Sequence, residues 1–263
     1  FIGNNTSAIG HPKWFATFGD LAGMDGFIRL SLLETLTSRF IPTPHTHFLP
    51  RNEMTDFLIL SFLAFGDFNV VLVDWTAGAE TGEVSDVATN PPLVGVFLAS
   101  FLDWLSTLGL PFSQIHIVGH SLGGHVVGFA GRNSIKNGLF YWVDSPDKIN
   151  SGDGKYVEVI HSNAGISGLI LPAGTADFYP NGGATNPGCD NDVLCDHVRS
   201  IEFFQDSIGH QRFIAQKCIS FDEIVSGNCS NIGTSYMGGT GYAKESSGVY
   251  YLATNAQKPF YQG

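Results

Sequence analysis

Residues 114–124 read QIHIVGHSLGG, and this stretch decides the fold. An apolar run of strand length, 114–118, leads directly into the pentapeptide GHSLG at 119–123, and an apolar helical segment begins inside the pentapeptide. A turn this tight between strand and helix leaves no room for side chains two residues before and after the serine, so glycine is required at both positions. The pattern therefore predicts that Ser121 is a nucleophile with an exposed hydroxyl at the end of a strand.

The segments around this stretch alternate between strand and helix patterns. Strands are predicted over 69–75, 114–118, 139–143 and 156–160, with further short pieces at 26–33, 198–204 and 248–252. Helices are predicted over 56–65, which reads as buried, over 93–108, which carries one apolar stripe, and over 122–130. This rhythm is typical of a mostly parallel central sheet with helices on both faces. Together with the nucleophile motif it predicts an α/β-hydrolase fold.

Composition limits the function classes. The chain of 263 residues is 43% hydrophobic and 14% charged, which fits one α/β domain over 1–263. Its formal net charge of -11 argues against binding to nucleic acid, which needs a basic surface. The most apolar run, 57–65, is too short to cross a bilayer, which takes about 20 helical residues. Because the chain begins with Phe1 rather than Met, we expect a processed, secreted, extracellular protein.

The four cysteines agree with secretion. They form two local pairs, Cys189 with Cys195 and Cys218 with Cys229, and their spacing is not that of a zinc site. We therefore expect two disulfides that close short loops, and no metal ion. Acceptor triplets for N-linked glycans begin at Asn4, Asn5 and Asn228.

A serine nucleophile needs a base to accept its proton and a carboxylate to orient that base. In α/β-hydrolases the acid and then the histidine follow the serine along the chain. Asp144 ends the strand predicted after the motif and is the candidate acid. Three histidines follow it: His161, His197 and His210. We favour His197, because a disulfide at Cys195 would anchor its loop and a strand is predicted directly after it, whereas His161 ends a strand and is expected to be structural.

Four longer strings resemble the animal pancreatic-lipase family: NVVLVDW at 69–75, IHIVGHSLGGHVVGFAGR at 115–132, DFYPNGG at 177–183 and NPGCD…CDHVRS at 186–200. Their order and spacing are similar to those of the family over residues 69–210. The resemblance implies an α/β-hydrolase fold and a serine ester hydrolase that acts on lipid. It implies that the nucleophile is Ser121, the acid Asp144 and the base His197, in agreement with the order of these residues along the chain.

The resemblance also bears on the substrate. In the family, the cysteines that match Cys189 and Cys195 bracket the lid over the acyl cleft, and here only five residues lie between them. The loop at 163–176 is also short, and the chain ends at Gly263, before a C-terminal domain would begin. This layout is similar to that of the insect-type phospholipases A1 of the family. It implies an open cleft, a lipid substrate cleaved at the sn-1 position, and no cofactor.

One segment departs from the family pattern. Family members have an apolar strand that ends in His-Gly and an aromatic residue, and the N–H of that residue is half of the oxyanion hole. The matching stretch, 42–50, reads PTPHTHFLP, with three prolines and no glycine. We assign the two oxyanion N–H groups to Leu122 and Phe48, and loss of one such donor typically costs about 10²–10³ in turnover. The alternative hypothesis is therefore a catalytically weak or silent homologue that binds or stores a hydrophobic ligand in the former acyl cleft.

Overall fold

The chain folds into alternating strands and helices. The computed structural model describes residues 13–18, 29–33, 53–75, 89–134, 148–240 and 244–263, with the backbone alone for 13–18, 29–33 and 53–56. Its strands are β1 Lys13–Phe18, β2 Arg29–Leu33, β3 Phe68–Asp74, β4 Ile115–Gly119, β5 Glu158–Ile160, β6 Ala176–Pro180, β7 Ile214–Lys217, β8 Thr234–Tyr236 and β9 Gly248–Leu252. Its helices are α1 Glu53–Phe65, α2 Pro91–Thr107, α3 Leu122–Ser134, α4 Val193–Ser207 and α5 Phe221–Ser226.

The strands form two hydrogen-bonded groups within the described residues. In the first, with the order β2-β3-β1-β4, β1 is parallel to β3 and β4, and β2 is antiparallel to β3. In the second, with the order β5-β6-β9-β7-β8, the first three strands are parallel and the last two join antiparallel. This mixed arrangement with its helices confirms the predicted α/β class. The strand predicted over 139–143 lies outside the described residues.

Helices cover both faces of the first sheet, so β3 is buried on both sides. Alternate side chains of a strand point to opposite faces. Val73 belongs to a buried cluster with residues of α2 and α3. Phe68 and Val70 belong to a different buried cluster, with residues of α1 and with Ile208. The near-continuous apolar sequence of β3 follows from this two-sided burial.

The crossing of α2 and α3 holds the start of α3 in place. Gly95 of α2 is buried, and a Cβ atom added there would lie 2.3 Å from the Cβ of Phe129 in α3. The lack of a side chain at Gly95 thus permits the two helices to pack closely. The buried face of α2 includes Val94, Leu98, Leu102 and Leu105.

Two expectations about helix faces are only partly correct. The apolar stripe predicted for α2 includes Leu93 and Phe97, which are 60% and 55% exposed. Helix α1 was predicted to be buried, yet Phe57 and Leu60 are more than half exposed, and only one side of the helix packs against β3. Apolar content alone therefore overstates the burial of both helices.

The strand predicted over 198–204 is wrong, because this segment lies inside helix α4. The buried residues of α4 are spaced by three and four: Asp196, Arg199, Phe203 and Ser207. That spacing places them on one face of a helix. Asp192 caps the helix, since its side chain accepts a hydrogen bond from the N–H of Cys195 at 2.8 Å.

Candidate active site

Ser121 occupies the sharp turn between β4 and α3. Its backbone has φ of +54°, a left-handed conformation that costs energy for a residue with a side chain. The N–H groups of Gly123 and Gly124 donate to the carbonyls of His120 and Ser121 at 2.8 and 3.0 Å, so the helix begins at once after the turn. Strained backbone of this kind at a serine is the geometry of a nucleophile elbow.

Gly119 is required by the closeness of the chain on either side of Ser121. A Cβ atom added at Gly119 would lie 2.2 Å from the carbonyl oxygen of Gly123, which is far inside van der Waals contact. The sequence predicted glycine at this position because side chains beside the turn would collide. The structure confirms that reason for Gly119.

Leu122 is the first residue of α3. Its side chain packs against the cluster of β3, α2 and α3 residues, which fixes the N-terminal end of the helix relative to the sheet. Backbone N–H groups at a helix N-terminus, with the positive end of the helix dipole, favour a developing negative charge. The turn thus brings a serine hydroxyl and a helix N-terminus together.

His197 lies in the second turn of α4 and is half-buried. The disulfide between Cys189 and Cys195, with a Cα–Cα distance of 5.4 Å, ends just before it, as the sequence suggested. The Cys218–Cys229 disulfide is also formed. The expectation that a strand follows His197 is wrong, and the histidine is held by a helix instead of a loop.

The elbow and α4 meet through two histidines. The ring centroids of His120 and His197 are 4.6 Å apart. The Nε2–H of His120 donates a hydrogen bond to the backbone carbonyl of His197 at 3.0 Å. The residue directly before Ser121 is therefore bonded to the residue predicted to be the base. The sequence does not reveal this contact, since 77 positions separate the two histidines.

His161 has a structural role, which confirms its interpretation from the sequence. It is 2% exposed. One ring nitrogen lies 2.9 Å from the carbonyl oxygen of Leu169, and the other lies 2.9 Å from a carboxylate oxygen of Asp177. Its ring stacks on Tyr179 at 4.0 Å. Both ring nitrogens are thus engaged by other residues.

Burial lowers the pKa of three histidines around the elbow. Burial, and to a lesser extent the charge of Lys244, lowers the pKa of His116 to about 4. Burial also lowers the pKa of His120, while its hydrogen bond to His197 opposes the shift. Burial likewise lowers the pKa of His125, whose Nδ1 accepts the N–H of Ile149 at 3.2 Å. These side chains are neutral at neutral pH.

A pH dependence of stability follows from His116. Between its folded pKa of about 4 and the ordinary value of 6.5, the unfolded chain binds more protons than the folded chain. We therefore expect the free energy of unfolding to fall as the pH decreases from 6.5 towards 4. Urea unfolding at several pH values measures this slope. Carboxylates and the other two histidines with lowered pKa, His120 and His125, contribute to the same slope, so His116→Gln, which cannot titrate there, is the comparison. An equally steep slope in the variant would contradict the role of His116.

Several predicted residues lie outside the described residues. They are the candidate acid Asp144, the candidate oxyanion donor Phe48, and the possible glycan acceptors Asn4 and Asn5. Asn228, the third possible acceptor, is exposed on the short loop closed by the Cys218–Cys229 disulfide. Within the described part, the active-site geometry therefore rests on the elbow and α4.

Apolar side chains are exposed on the two segments that meet at His197. Val193 and Leu194, at the start of α4, are 44% and 70% exposed. Ile166 and Leu171 lie in the loop after β5 and are 72% and 61% exposed. That loop includes Ser162, whose hydroxyl donates a hydrogen bond to the carbonyl of His197. Apolar surface therefore borders the segments that hold His197.

Two further features concern metals and membranes. Among the described residues, one group of possible metal ligands lies close together, namely Cys218, Glu223 and Cys229. Both cysteines of that group are joined in a disulfide, and Glu223 accepts N–H groups from Ile219 and Ser230. Across the described ranges, none of the helices combines the length and the apolar character that crossing a membrane requires.

Comparison with known proteins identifies related sequences. A family model described as Lipase matches residues 50–260. Lipase member H from Oryctolagus cuniculus is 31% identical over 198 residues, which cover 67% of this chain and 43% of that protein. Pancreatic lipase-related protein 2 from Cavia porcellus is 34% identical over 182 residues, 61% of this chain and 41% of that protein. Lipoprotein lipase from Sus scrofa is 32% identical over 236 residues, 74% of this chain and 49% of that protein. The chain spans about half the length of these curated relatives, or less.

Proposed function

The chain belongs to the pancreatic-lipase family of α/β-hydrolases, and on this premise we propose that it hydrolyses ester bonds of acyl lipids. The observation that carries the proposal is the elbow. Ser121 has the positive φ of a strained nucleophile, and the residue before it is hydrogen-bonded to His197. The serine and the proposed base are thus on segments that touch.

In the proposed reaction, the hydroxyl oxygen of Ser121 attacks the ester carbonyl carbon. His197 accepts the hydroxyl proton and then gives it to the leaving alcohol, which leaves an acyl-enzyme. Water, activated by the same imidazole, attacks the acyl-enzyme and releases the fatty acid. Asp144, assigned as the acid from the family pattern, orients the imidazole of His197 and stabilises its positive charge.

The negative charge on the former carbonyl oxygen needs N–H donors. Leu122 supplies one in the proposal, because it is the first residue of α3 and lies at the positive end of the helix dipole. Phe48 supplies the second, by its position in the family pattern.

A lipid substrate fits the surroundings of the base. Ile166, Leu171 and Leu194 are more than half exposed on segments that border His197, and apolar surface of this kind suits acyl chains. The short loop between Cys189 and Cys195 leaves little chain to cover a cleft. We therefore propose a phospholipase A1-type specificity, in which the sn-1 acyl chain is released.

We also propose an extracellular location. Both disulfides of the described residues close short loops, and disulfides persist in oxidising compartments. Exposed Asn228 begins a glycan acceptor triplet that includes Cys229 and Ser230.

The proposal is tested with the folded wild-type protein. A fluorophosphonate probe is expected to label it, and peptide mapping is expected to find the label on Ser121. A phospholipid with different isotopes in its two acyl chains is expected to release mainly the sn-1 fatty acid. Protein inactivated beforehand by the probe is the matched control and should release neither chain.

The outcomes separate the possible functions. Release of the sn-2 chain, or of neutral-lipid acyl chains alone, would contradict the phospholipase A1 specificity but keep the hydrolase. A folded protein that takes no label and hydrolyses no ester would contradict the hydrolase. In that case, a stoichiometric hydrophobic compound in its organic extract would support the alternative binding function.

A further inference from the structure

The backbone carbonyl of His197 accepts hydrogen bonds from several side chains. The Nε2–H of His120 donates to its oxygen at 3.0 Å, and the hydroxyl of Ser162 donates at 3.1 Å. The hydroxyl of Ser200, one turn further along α4, lies 3.3 Å away. A carbonyl within a helix ordinarily accepts the N–H four residues ahead. Two donors from outside the helix are therefore an additional restraint.

These two donors belong to different parts of the fold. His120 belongs to the elbow and is adjacent to Ser121. Ser162 follows β5 and is 6% exposed, in a segment 35 positions from His197. The carbonyl oxygen of His197 in helix α4 thus accepts hydrogen bonds both from the elbow and from the segment after β5.

Ser162 is itself held rigidly. Its neighbour His161 is bonded to Leu169 and to Asp177 at 2.9 Å each. The carboxylate of Asp177 also accepts the N–H groups of Ala173 and Gly174 at 2.8–3.1 Å. The backbone at Ser162 is therefore anchored through its buried neighbour, so the position of its hydroxyl is set independently of helix α4. The hydroxyl thus restrains the carbonyl instead of adapting to it.

The hydrogen bond also defines the protonation of His120. A carbonyl oxygen only accepts, so Nε2 carries the proton and Nδ1 carries none in the neutral ring. A neutral His120 adds no positive charge beside His197, whose ring centroid is 4.6 Å away. This matters in the proposed reaction, because the ring of His197 becomes positive when it accepts the proton of Ser121, and a second positive charge would oppose that step.

We propose that His120 and Ser162 are positioning residues for the base. They hold the backbone carbonyl of His197 and so set the distance between its imidazole and the hydroxyl of Ser121. The inference rests on the proposed function of Ser121 and His197 and extends it to two residues that act without touching the substrate.

The expected effect falls on the rate of the chemical step. A misplacement of about 1 Å between reacting groups can cost about 10² in rate. Because neither side chain is assigned a contact with the substrate, KM should change little. His120→Phe keeps an aromatic ring without the N–H donor, and we expect it to lower kcat by about 10- to 100-fold with KM within about twofold.

Two further variants make the test specific. His120→Gln carries an amide N–H at about the distance of Nε2 from the backbone, so it is expected to restore kcat to within a few-fold of wild type. Ser162→Ala removes the other donor and is expected to lower kcat by about 3- to 10-fold. The double variant His120→Phe/Ser162→Ala should lose less than the product of the single losses, because both donors act through one atom.

The experiment measures kcat and KM for a soluble ester, the rate of fluorophosphonate labelling, and the melting temperature of each variant. Wild type that is folded but neither hydrolyses the ester nor takes the label overturns the proposed function, and the inference with it. An active wild type together with unchanged kcat in folded His120→Phe or Ser162→Ala overturns the inference alone. A rise in KM without loss of kcat also overturns it. Loss of kcat in His120→Phe that His120→Gln reverses supports it.

Discussion

Ser121→Ala is expected to abolish ester hydrolysis and fluorophosphonate labelling without unfolding the protein. The change removes the only atom that can form the acyl-enzyme in the proposed reaction. In serine hydrolases, loss of the nucleophile costs about 10⁴- to 10⁶-fold in kcat. An effect of at least about 10⁴-fold is therefore expected here. Hydrolysis of a fluorogenic ester and gel fluorescence of the labelled protein measure it.

A second serine provides the control for Ser121→Ala. Ser100 is exposed on α2, and its hydroxyl donates to the carbonyl of Val96 in the same helix at 3.1 Å. Ser100→Ala should therefore keep both labelling and hydrolysis. Circular dichroism and the melting temperature should match wild type in both variants. If Ser121→Ala were folded and still labelled at the wild-type rate, the nucleophile would be another residue.

Gly119→Ala is expected to destabilise the protein strongly and to distort the turn that holds Ser121. The added Cβ would lie 2.2 Å from the carbonyl oxygen of Gly123 and 2.8 Å from the nitrogen of Gly124. Both atoms belong to the backbone, so no side chain can rotate to relieve the clash. Overpacking of this kind costs about 1–3 kcal/mol or more, so urea unfolding should show a loss of about 3 kcal/mol.

Gly124→Ala is the matched control for Gly119→Ala. Its added Cβ would lie 3.6 Å from the carbonyl oxygen of Gly119, which is ordinary contact. Alanine also favours a helix by about 1 kcal/mol over glycine, and this residue lies in the first turn of α3. Stability and labelling of Gly124→Ala should therefore equal or exceed those of wild type. Equal stability and equal labelling rates in both variants would show that the elbow tolerates a wider turn.

Local patterns predicted the elements around the elbow because their signals are contiguous. The strand predicted over 114–118 is β4, shifted by one residue, and the helix predicted to begin at Leu122 is α3. The steric need for Gly119 also follows from neighbours in the chain, since the clash is with Gly123. Contacts between residues four or five positions apart follow from the local backbone conformation, and the local sequence pattern predicts that conformation.

Helix α4 was missed for a physical reason. Its buried face includes Asp196 and Arg199, so the apolar residues alone do not show a helical period. Asp196 is buried because its carboxylate accepts the N–H of Asn186 at 2.6 Å, and Arg199 because its guanidinium lies against the sulfur of Cys189 at 3.2 Å. Partners elsewhere in the fold make these polar side chains suitable for burial, and hydrophobic periodicity does not record such partners.

Strand β6 was missed for a related reason. All five of its residues are buried, including Asp177 and Pro180, which are not typical of a buried strand. Asp177 is satisfied there by His161 and by the N–H groups of Ala173 and Gly174. A sequence window shows the charge but not the donors that offset it.

The sequence by itself therefore determined the fold class and the tight turn at Ser121, because the steric rules behind them operate between near neighbours. It proposed Asp144 and His197 only through their order along the chain and their resemblance to the family pattern. Only the tertiary structure decided that His197 lies on a helix and that His120 and Ser162 hold its carbonyl. Those contacts join residues 77 and 35 positions apart. Their distances are set by how β4, β5 and α4 pack together, and no local pattern encodes that packing.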